Sequence, residues 1–273
     1  MLATQYEIGI IGAGNAAEGI VHGLLRNSLL LDDRIIVSNR NAAKRQLFAD
    51  RFRIAVTDDN RHVVANSYIL ILAVKPQVYR DVVAEIKDLV CGEHVIVSIM
   101  AGVSTATLEA QFPNIEARVI RVMPNLPMHV GAGMAGVFPG RHAREADLLR
   151  AQRIFDAAGR TVVMDNEALM DAVTAVSGSG PAYFYYFVEA ITAAGQKAGL
   201  STQQAALLAK QSCLGAARMM VESSDPPSVL RAKVTSPNGT TQAALDSMTR
   251  SRVFEDIEEA VLAAFRRSQE LGH

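Results

Sequence analysis

Glu7-Ile-Gly-Ile-Ile11, followed without a break by Gly12-Ala-Gly14-Asn-Ala-Ala17, is the stretch that decides the fold. Its first five residues form a short apolar run of strand type, and apolar residues recur at helical spacing from Asn15 to Arg26. A G-x-G-x-x-G/A turn between a strand and a helix is a dinucleotide-binding fingerprint in the context it requires. Gly12 allows the tight turn, Gly14 lets the backbone approach a pyrophosphate, and Ala17 is small enough for close helix–strand packing. The anion is favoured at the helix N-terminus by unpaired N–H groups and by the helix dipole. Gly12, Ala13, Gly14, Asn15 and Ala16 are therefore the candidate cradle. The alternative is a glycine-rich turn with no ligand; a strand and a helix in register on either side weigh against it.

The alternation continues outward. Strands are predicted at Arg34–Ser38, Ile54–Thr57, Tyr68–Val74, His94–Ile99 and Arg118–Val122, with a second helix over Asn41–Phe52. Tyr68–Val74 is apolar throughout, as a central strand covered on both faces should be. Strands alternating with helices imply right-handed parallel crossovers, hence an α/β fold with a Rossmann-like doubly wound sheet. Ala135–Phe138 and Thr161–Met164 are candidate edge strands. The character changes near Asp165. Beyond it no strand pattern is found, and Ala182–Leu200, Thr202–Glu222, Gly239–Arg250 and Val253–Gln269 read as helices. Asp225-Pro-Pro227 and Ser236-Pro-Asn-Gly239 interrupt them. The expected division is a dinucleotide-binding domain over residues 1–165 and an all-helical domain over residues 166–273.

Between Ala182 and Val221 the charged residues are Glu189, Lys197, Lys210 and Arg218. A helix pair apolar on nearly every face must be buried on every face. A helical domain of roughly 105 residues has little room for that alone. A second subunit is the simplest remedy, so the helical region is expected to be a dimerisation domain.

Composition excludes several classes. The chain has 273 residues, 49% hydrophobic and 20% charged, enough for a sizeable core in two domains and unlike a disordered or coiled-coil chain. Lys plus Arg is 27 against 28 for Asp plus Glu, a net charge of −1, so no basic excess exists to neutralise a nucleic-acid backbone. Cys91 and Cys213 offer neither a disulfide framework nor a thiolate metal site, which suits a reducing cytoplasm. Met1–Tyr6 lacks the regions of a signal peptide. The longest charge-free stretch, Ala172–Val188, is too polar in its middle to span a bilayer, so no membrane partner is expected. His22, His62, His94, His129, His142 and His273 include no pair at metal-ligand spacing, and no metal is expected. No P-loop or G-x-S-x-G elbow appears.

Other strand ends refine the cofactor. An NAD site usually places Asp or Glu at the end of the second strand, on the ribose 2′-hydroxyl. Here that place holds Ser38-Asn39-Arg40, where no carboxylate repels a 2′-phosphate and Arg40 can pair with one. This favours NADPH over NADH, unless Arg40 is simply a solvated surface residue. Ala73-Val74-Lys75-Pro76 ends the fourth strand, on the side where open parallel sheets bind ligands. Pro76 suits the first turn of a following helix, and an exposed lysine before a helix is the plain alternative for Lys75. Met100-Ala101-Gly102 ends the fifth strand, with residues small enough to let a nicotinamide lie against the backbone.

In the helical half, Ser177-Gly-Ser-Gly-Pro181 and Thr235-Ser-Pro-Asn-Gly-Thr-Thr241 are small, hydroxyl-rich and placed at helix starts. Backbone N–H groups and hydroxyls there suit a carboxylate. Ordinary capping is the alternative, although four hydroxyl residues in seven around Asn238-Gly239 exceed what a cap needs. A hydride transfer that needs no metal fits best, and an imine is such a substrate, being electrophilic once protonated on nitrogen.

Gly12-Ala-Gly-Asn, Ala73-Val-Lys-Pro76, Arg121-Val-Met-Pro-Asn125, Ser177-Gly-Ser-Gly-Pro-Ala182 and Val234-Thr-Ser-Pro-Asn-Gly-Thr-Thr241 occur in this order, and together they closely resemble the pyrroline-5-carboxylate reductase family over nearly the whole chain. The most specific part runs from Pro227 through Leu230, Val234, Gly239 and Thr241 to Ala244-Leu245. Thr249 departs from the amide or acid usual near its end, and Asn238 stands where glycine is common. The resemblance implies reduction of 1-pyrroline-5-carboxylate to L-proline by NADPH, the last step of proline biosynthesis. It implies that Thr241 lies beside the ring nitrogen, that Ser236, Gly239 and Thr240 hold the carboxylate, and that Glu167 lines the substrate pocket. A solvated glutamate starting a helix is the rival reading of Glu167. Asn60 and Ser38 match contacts near the adenosine end. The resemblance also implies interleaved dimers, with rings of five dimers in many members. Reductases of other cyclic imine acids stay open, because one methylene discriminates only modestly. A β-hydroxyacid dehydrogenase is disfavoured, since Lys197 and Lys210 lack its glycine pattern. A non-catalytic NADPH-binding regulator is disfavoured by the intact Thr241 segment.

Overall fold

The computed structural model describes residues 4–271. The outer ends of the two expected domains, residues 1 and 273, lie outside the described residues, as does the start of Met1–Tyr6. The strands are β1 Tyr6–Ile11, β2 Ile35–Ser38, β3 Ala55–Thr57, β4 Ser67–Leu72, β5 Val95–Ser98, β6 Arg118–Met123, β7 Gly133–Pro139 and β8 Gly159–Val163. Among the described residues they form one sheet in the order β3-β2-β1-β4-β5-β6-β7-β8. The helices are α1 Asn15–Arg26, α2 Ala42–Phe52, α3 Asn60–Asn66, α4 Tyr79–Ile86, α5 Thr105–Glu109, α6 Glu145–Asp156, α7 Leu169–Val173, α8 Gly180–Lys197, α9 Thr202–Glu222, α10 Pro227–Lys233, α11 Thr240–Arg250 and α12 Val253–Leu271.

The pleat explains the apolar run of β4. Ile69 and Ile71 join one buried cluster with Ile8, Ile10, Val95 and Val97, while Leu70 and Leu72 join a second with Ile36, Ile96 and Val119. Alternate residues thus face opposite layers, and both layers are apolar. All neighbouring strands from β3 to β6 pair in parallel. The two candidate edge strands form, but β7 runs antiparallel to β6 and lies inside the sheet, so of the two β8 alone is at an edge. The link between β6 and β7, residues 124–132, holds a 3-10 turn rather than a crossover helix, and a parallel return needs about a dozen residues or more.

Two compact units result: residues up to Ser179 together with those from Ala264 onward, and Gly180–Ala263. The first runs past residue 165 because α7 packs on the sheet, with Val173 Cγ1 only 2.7 Å from where a Cβ on Gly136 of β7 would stand. Its other end receives the last turns of α12, where Ser268 Oγ donates to Asp171 Oδ1 at 2.7 Å. A π turn over Thr174–Gly178 leads from α7 to α8, so Pro181 does not open a helix from a loop as its position suggests. Pro227 does open one: α10 begins on it where the sequence reads as an interruption, because a proline at the first helical position has no N–H to leave unpaired.

In the second unit α8 packs on α9, with Ala205 Cβ 3.1 Å from where a Cβ on Gly195 would lie. Outward, Tyr186 is 72% exposed, Leu207 69%, Val221 68% and Phe254 70%, far more apolar surface than scattered single residues produce. Among the described residues no helix is long and apolar enough to cross a membrane.

At the foot of β5 the ring of His94 is buried; its Nδ1 accepts from the Cys91 N–H at 3.0 Å and its Nε2 faces the Val64 carbonyl at 3.2 Å. Burial holds its pKa below the ordinary 6.5. The unfolded chain therefore takes up this proton first as pH falls, so the neutral ring's stabilisation is complete above 6.5 and drains away below it. The thermal midpoint is expected to fall between pH 7.5 and 5.5 more steeply in the natural chain than in His94→Asn, and parallel curves would remove His94 from the pH dependence. From the exposed apolar face, a dimer or larger assembly is expected by sedimentation at micromolar concentration, and a monomer would refute that expectation.

Candidate active site

Gly14 stands at the N-cap of α1 and provides no side-chain cap, so the first-turn N–H groups are left to a ligand or to water. No atom beyond its chain neighbours comes within 4 Å of where a Cβ on Gly14 would be. Gly12 has φ +111°, and a Cβ there would fall 2.5 Å from the Ala73 carbonyl oxygen. The strand ends are tied side by side: Gly12 N donates to Ser38 O at 2.9 Å, Ala73 N to Ile11 O at 2.9 Å and Ile99 N to Leu72 O at 3.2 Å. Gly12, Ala13, Ser38, Ala73 and Val74 thus gather where the strand order reverses between β1 and β4, the ligand-binding crevice of open α/β sheets. Asn15 and Ala16 sit in the first turn of α1, and Ala17 is fully buried beneath them. An open, uncapped cradle with glycine at its closest points fits a dinucleotide pyrophosphate.

Beside it, Ser38 is wholly buried and its hydroxyl donates to Asn60 Oδ1 at 2.7 Å. Asn60 Nδ2 donates to Glu85 Oε2 of α4 at 3.0 Å, and Arg40 Nη2 lies 3.7 Å from that same oxygen. The strand end itself carries no carboxylate, as the sequence reads, but α4 delivers one. Arg45, which local spacing does not single out, donates to the carbonyls of Asn39 and Arg40 at 2.7 and 3.0 Å and so shapes their turn. Asn41 caps α2 by accepting from Lys44 N at 3.1 Å.

Lys75 is exposed and precedes a 3-10 turn opened by Pro76. Ala101 and Gly102 are half-buried, and Gly102 has φ +73°. A cavity of about 260 Å³ opens there, lined by Gly102, Ser104, Arg121, Glu167, Asp171 and Gln269 among others. Glu167 is not a solvated helix-starting residue. Its Oε1 accepts from Thr105 N at 2.7 Å and Arg121 Nη1 at 3.2 Å, and its Oε2 from Thr105 Oγ1 at 2.7 Å. Arg121 is nearly buried within β6, a placement that marks a functional or paired cation. Asn125 joins the hairpin to the π turn. Its Oδ1 accepts from Met134 N at 2.8 Å, while its Nδ2 donates to Ser177 O at 3.1 Å, a carbonyl that the imino nitrogen of Pro181 four residues on cannot serve.

In the second unit, Ser236-Pro-Asn-Gly239 is a turn closed by Gly239 N donating to Ser236 O at 3.0 Å. Asn238 has φ +57°, the third position of a type II turn, which explains why a residue that tolerates this conformation stands where glycine is common. A Cβ on Gly239 would meet Ser236 Oγ. α11 begins at Thr240 on Gly239 without any side-chain cap, so the hydroxyls of Ser236, Thr240 and Thr241 are not spent on capping. Thr241 is half-buried, and Ser236 and Thr240 are exposed. Among the described residues no three His, Cys, Asp or Glu side chains gather as metal ligands.

Comparison with known proteins bears on both units. Residues 167–271 match the model described as pyrroline-5-carboxylate reductase dimerisation, and residues 7–102 the one described as NADP oxidoreductase, coenzyme F420-dependent. The chain is 40% identical to the pyrroline-5-carboxylate reductase of Pseudomonas aeruginosa, over 97% of this chain and 96% of that one. A solved pyrroline-5-carboxylate reductase from Coxiella burnetii superposes with a TM-score of 0.91 at 34% identity, over 99% of this chain and all of that one. The Plasmodium falciparum pyrroline carboxylate reductase, solved with NADP bound, superposes with a TM-score of 0.88 at 26% identity, over 99% and 100% of the two chains. With residues 167–271 matched to the dimerisation model and 97% of its length aligned at 40% identity, the chain belongs to the pyrroline-5-carboxylate reductase family.

Proposed function

We propose that this chain reduces 1-pyrroline-5-carboxylate to L-proline, the last step of proline biosynthesis, using NADPH in preference to NADH. The observation that carries the reading is the pair of uncapped helix starts, α1 over Gly14 and α11 over Gly239, in a chain of this family. NADPH, when bound, supplies the hydride that goes to the imine carbon.

The chain's own residues bind and orient. Gly12 to Ala16 hold the pyrophosphate, Ser38, Asn39, Arg40 and Asn60 the adenosine end, and Ala73 to Pro76 with Ala101 and Gly102 the nicotinamide side. Ser236, Gly239 and Thr240 hold the substrate carboxylate, and Glu167 lines the pocket. The Thr241 hydroxyl hydrogen-bonds the ring nitrogen and helps deliver or relay to it the proton that, with the hydride at carbon, turns the C=N bond into a C–N bond. Holding the reactants face to face contributes up to about 7–11 kcal/mol. Residues 1–165 serve the cofactor and residues 166–273 the substrate and self-association. Dimers form through the helical region and assemble further as a ring of five, in the cytoplasm.

NADPH absorbance followed with and without 1-pyrroline-5-carboxylate tests the reading. Substrate-dependent oxidation is expected, and its absence would redirect attention to other cyclic imine acids. Thr241→Ala is expected to lower kcat by about 30- to 1,000-fold, the cost of one contact that stabilises developing charge, while the NADPH Kd stays within a factor of about two. Equal turnover would remove Thr241 from the mechanism. Arg40→Asp is expected to lower the NADPH-to-NADH ratio of kcat/KM by about tenfold; an unchanged ratio would place 2′-phosphate recognition elsewhere.

A further inference from the structure

A cofactor pocket selects between a 2′-phosphate and a 2′-hydroxyl through the charges that face the adenosine ribose. The strand end that faces it carries the cation Arg40, but the structure adds an anion from a remote element. Glu85, on α4, reaches the same spot with its side chain one-third exposed, against 79% for Arg40. Its Oε2 accepts from Asn60 Nδ2 at 3.0 Å and lies 3.7 Å from Arg40 Nη2.

The orientation of this chain of contacts is fixed by its carboxylate end. The Glu85 carboxylate can only accept, so the Asn60 amide nitrogen must face it, which turns Asn60 Oδ1 inward to accept from the buried Ser38 hydroxyl. Other cations near Glu85 are engaged: Arg61 donates to the Glu85 backbone carbonyl and forms two bonds to the Asp88 carboxylate. The Glu85 carboxylate therefore shares Arg40 with any anion that arrives at the ribose.

We propose that Glu85 is a specificity-determining residue that tempers the preference for a 2′-phosphorylated dinucleotide. This rests on the cofactor reading given above. Its negative charge attracts the Arg40 guanidinium away from the phosphate and repels the phosphate directly, while leaving a 2′-hydroxyl unopposed. With Glu85 Oε2 3.7 Å from Arg40 Nη2, a phosphate paired with Arg40 would stand within about one Debye length of the carboxylate at physiological salt, so the repulsion would be only partly screened. Glu85→Gln keeps the shape and still accepts from Asn60, and removes only the charge.

Isothermal titration of the full-length natural protein, Glu85→Gln and Glu85→Asp with NADP⁺ and with NAD⁺ tests this. The expected result is a three- to tenfold tighter NADP⁺ Kd in Glu85→Gln (on the order of one unit of charge removed). The NAD⁺ Kd is expected to stay the same or weaken, the gain to shrink in 0.5 M salt, and Glu85→Asp to stay close to the natural ratio. Matched thermal midpoints exclude a folding effect. If the natural protein binds both dinucleotides and the NADP⁺-to-NAD⁺ ratio of Glu85→Gln is unmoved, Glu85 has no such role although the cofactor reading stands. If the natural protein binds neither, both are overturned together.

Discussion

Gly12 leaves β1 with φ +111° and passes so close to β4 that a methyl group in its place would sit 2.5 Å from the Ala73 carbonyl oxygen. The site depends on that approach. It lets Gly12 N reach Ser38 O on one side while Ile11 O receives Ala73 N on the other, so three strand ends are held at one level. It also aims α1 across the crevice with its first N–H groups uncapped. A left-handed backbone and a backbone contact coincide at one residue, which leaves glycine as the side chain that satisfies both.

What could be read in advance depended on whether the information is local. β4 is legible because both of its faces are covered; α9 is legible as a helical run, and the structure adds that Ser201 and Gln204 cap each other, Ser201 N donating to Gln204 Oε1 at 3.0 Å and Gln204 N to Ser201 Oγ at 3.3 Å. The turn at Gly12 and the hydroxyl-rich start of α11 were visible for the same reason: spacing and residue type carry them. The antiparallel direction of β7 was not, because it depends on what fills residues 124–132 rather than on the pattern of the strand itself. The π turn before α8 was hidden by Pro181, which reads as a beginning.

Side-chain partnerships were the least visible layer. Glu167 meets Thr105 and Arg121, and Arg40 meets Glu85, only because the strand order β2-β1-β4-β5-β6-β7-β8 brings distant segments together. Reading Glu167 as a lone acid at a helix start misses that both of its oxygens are engaged and that it shares a cavity with Gly102. Asn125 belongs to the same class: the resemblance contains it as a letter, and its hydrogen bonds with Met134 N, Ser177 O and Ser177 Oγ show what it holds together. Such groups tie loops at the strand ends to the first turns that follow the sheet.

The bare aromatic and aliphatic face of Gly180–Ala263 has a thermodynamic consequence of its own. Surface of that kind is removed from water only when a like surface covers it, so the folded population obeys mass action as well as temperature. Dilution should then act as a denaturant and the melting temperature should climb with protein concentration, and a newly made chain would stay vulnerable to proteases until it finds its counterpart.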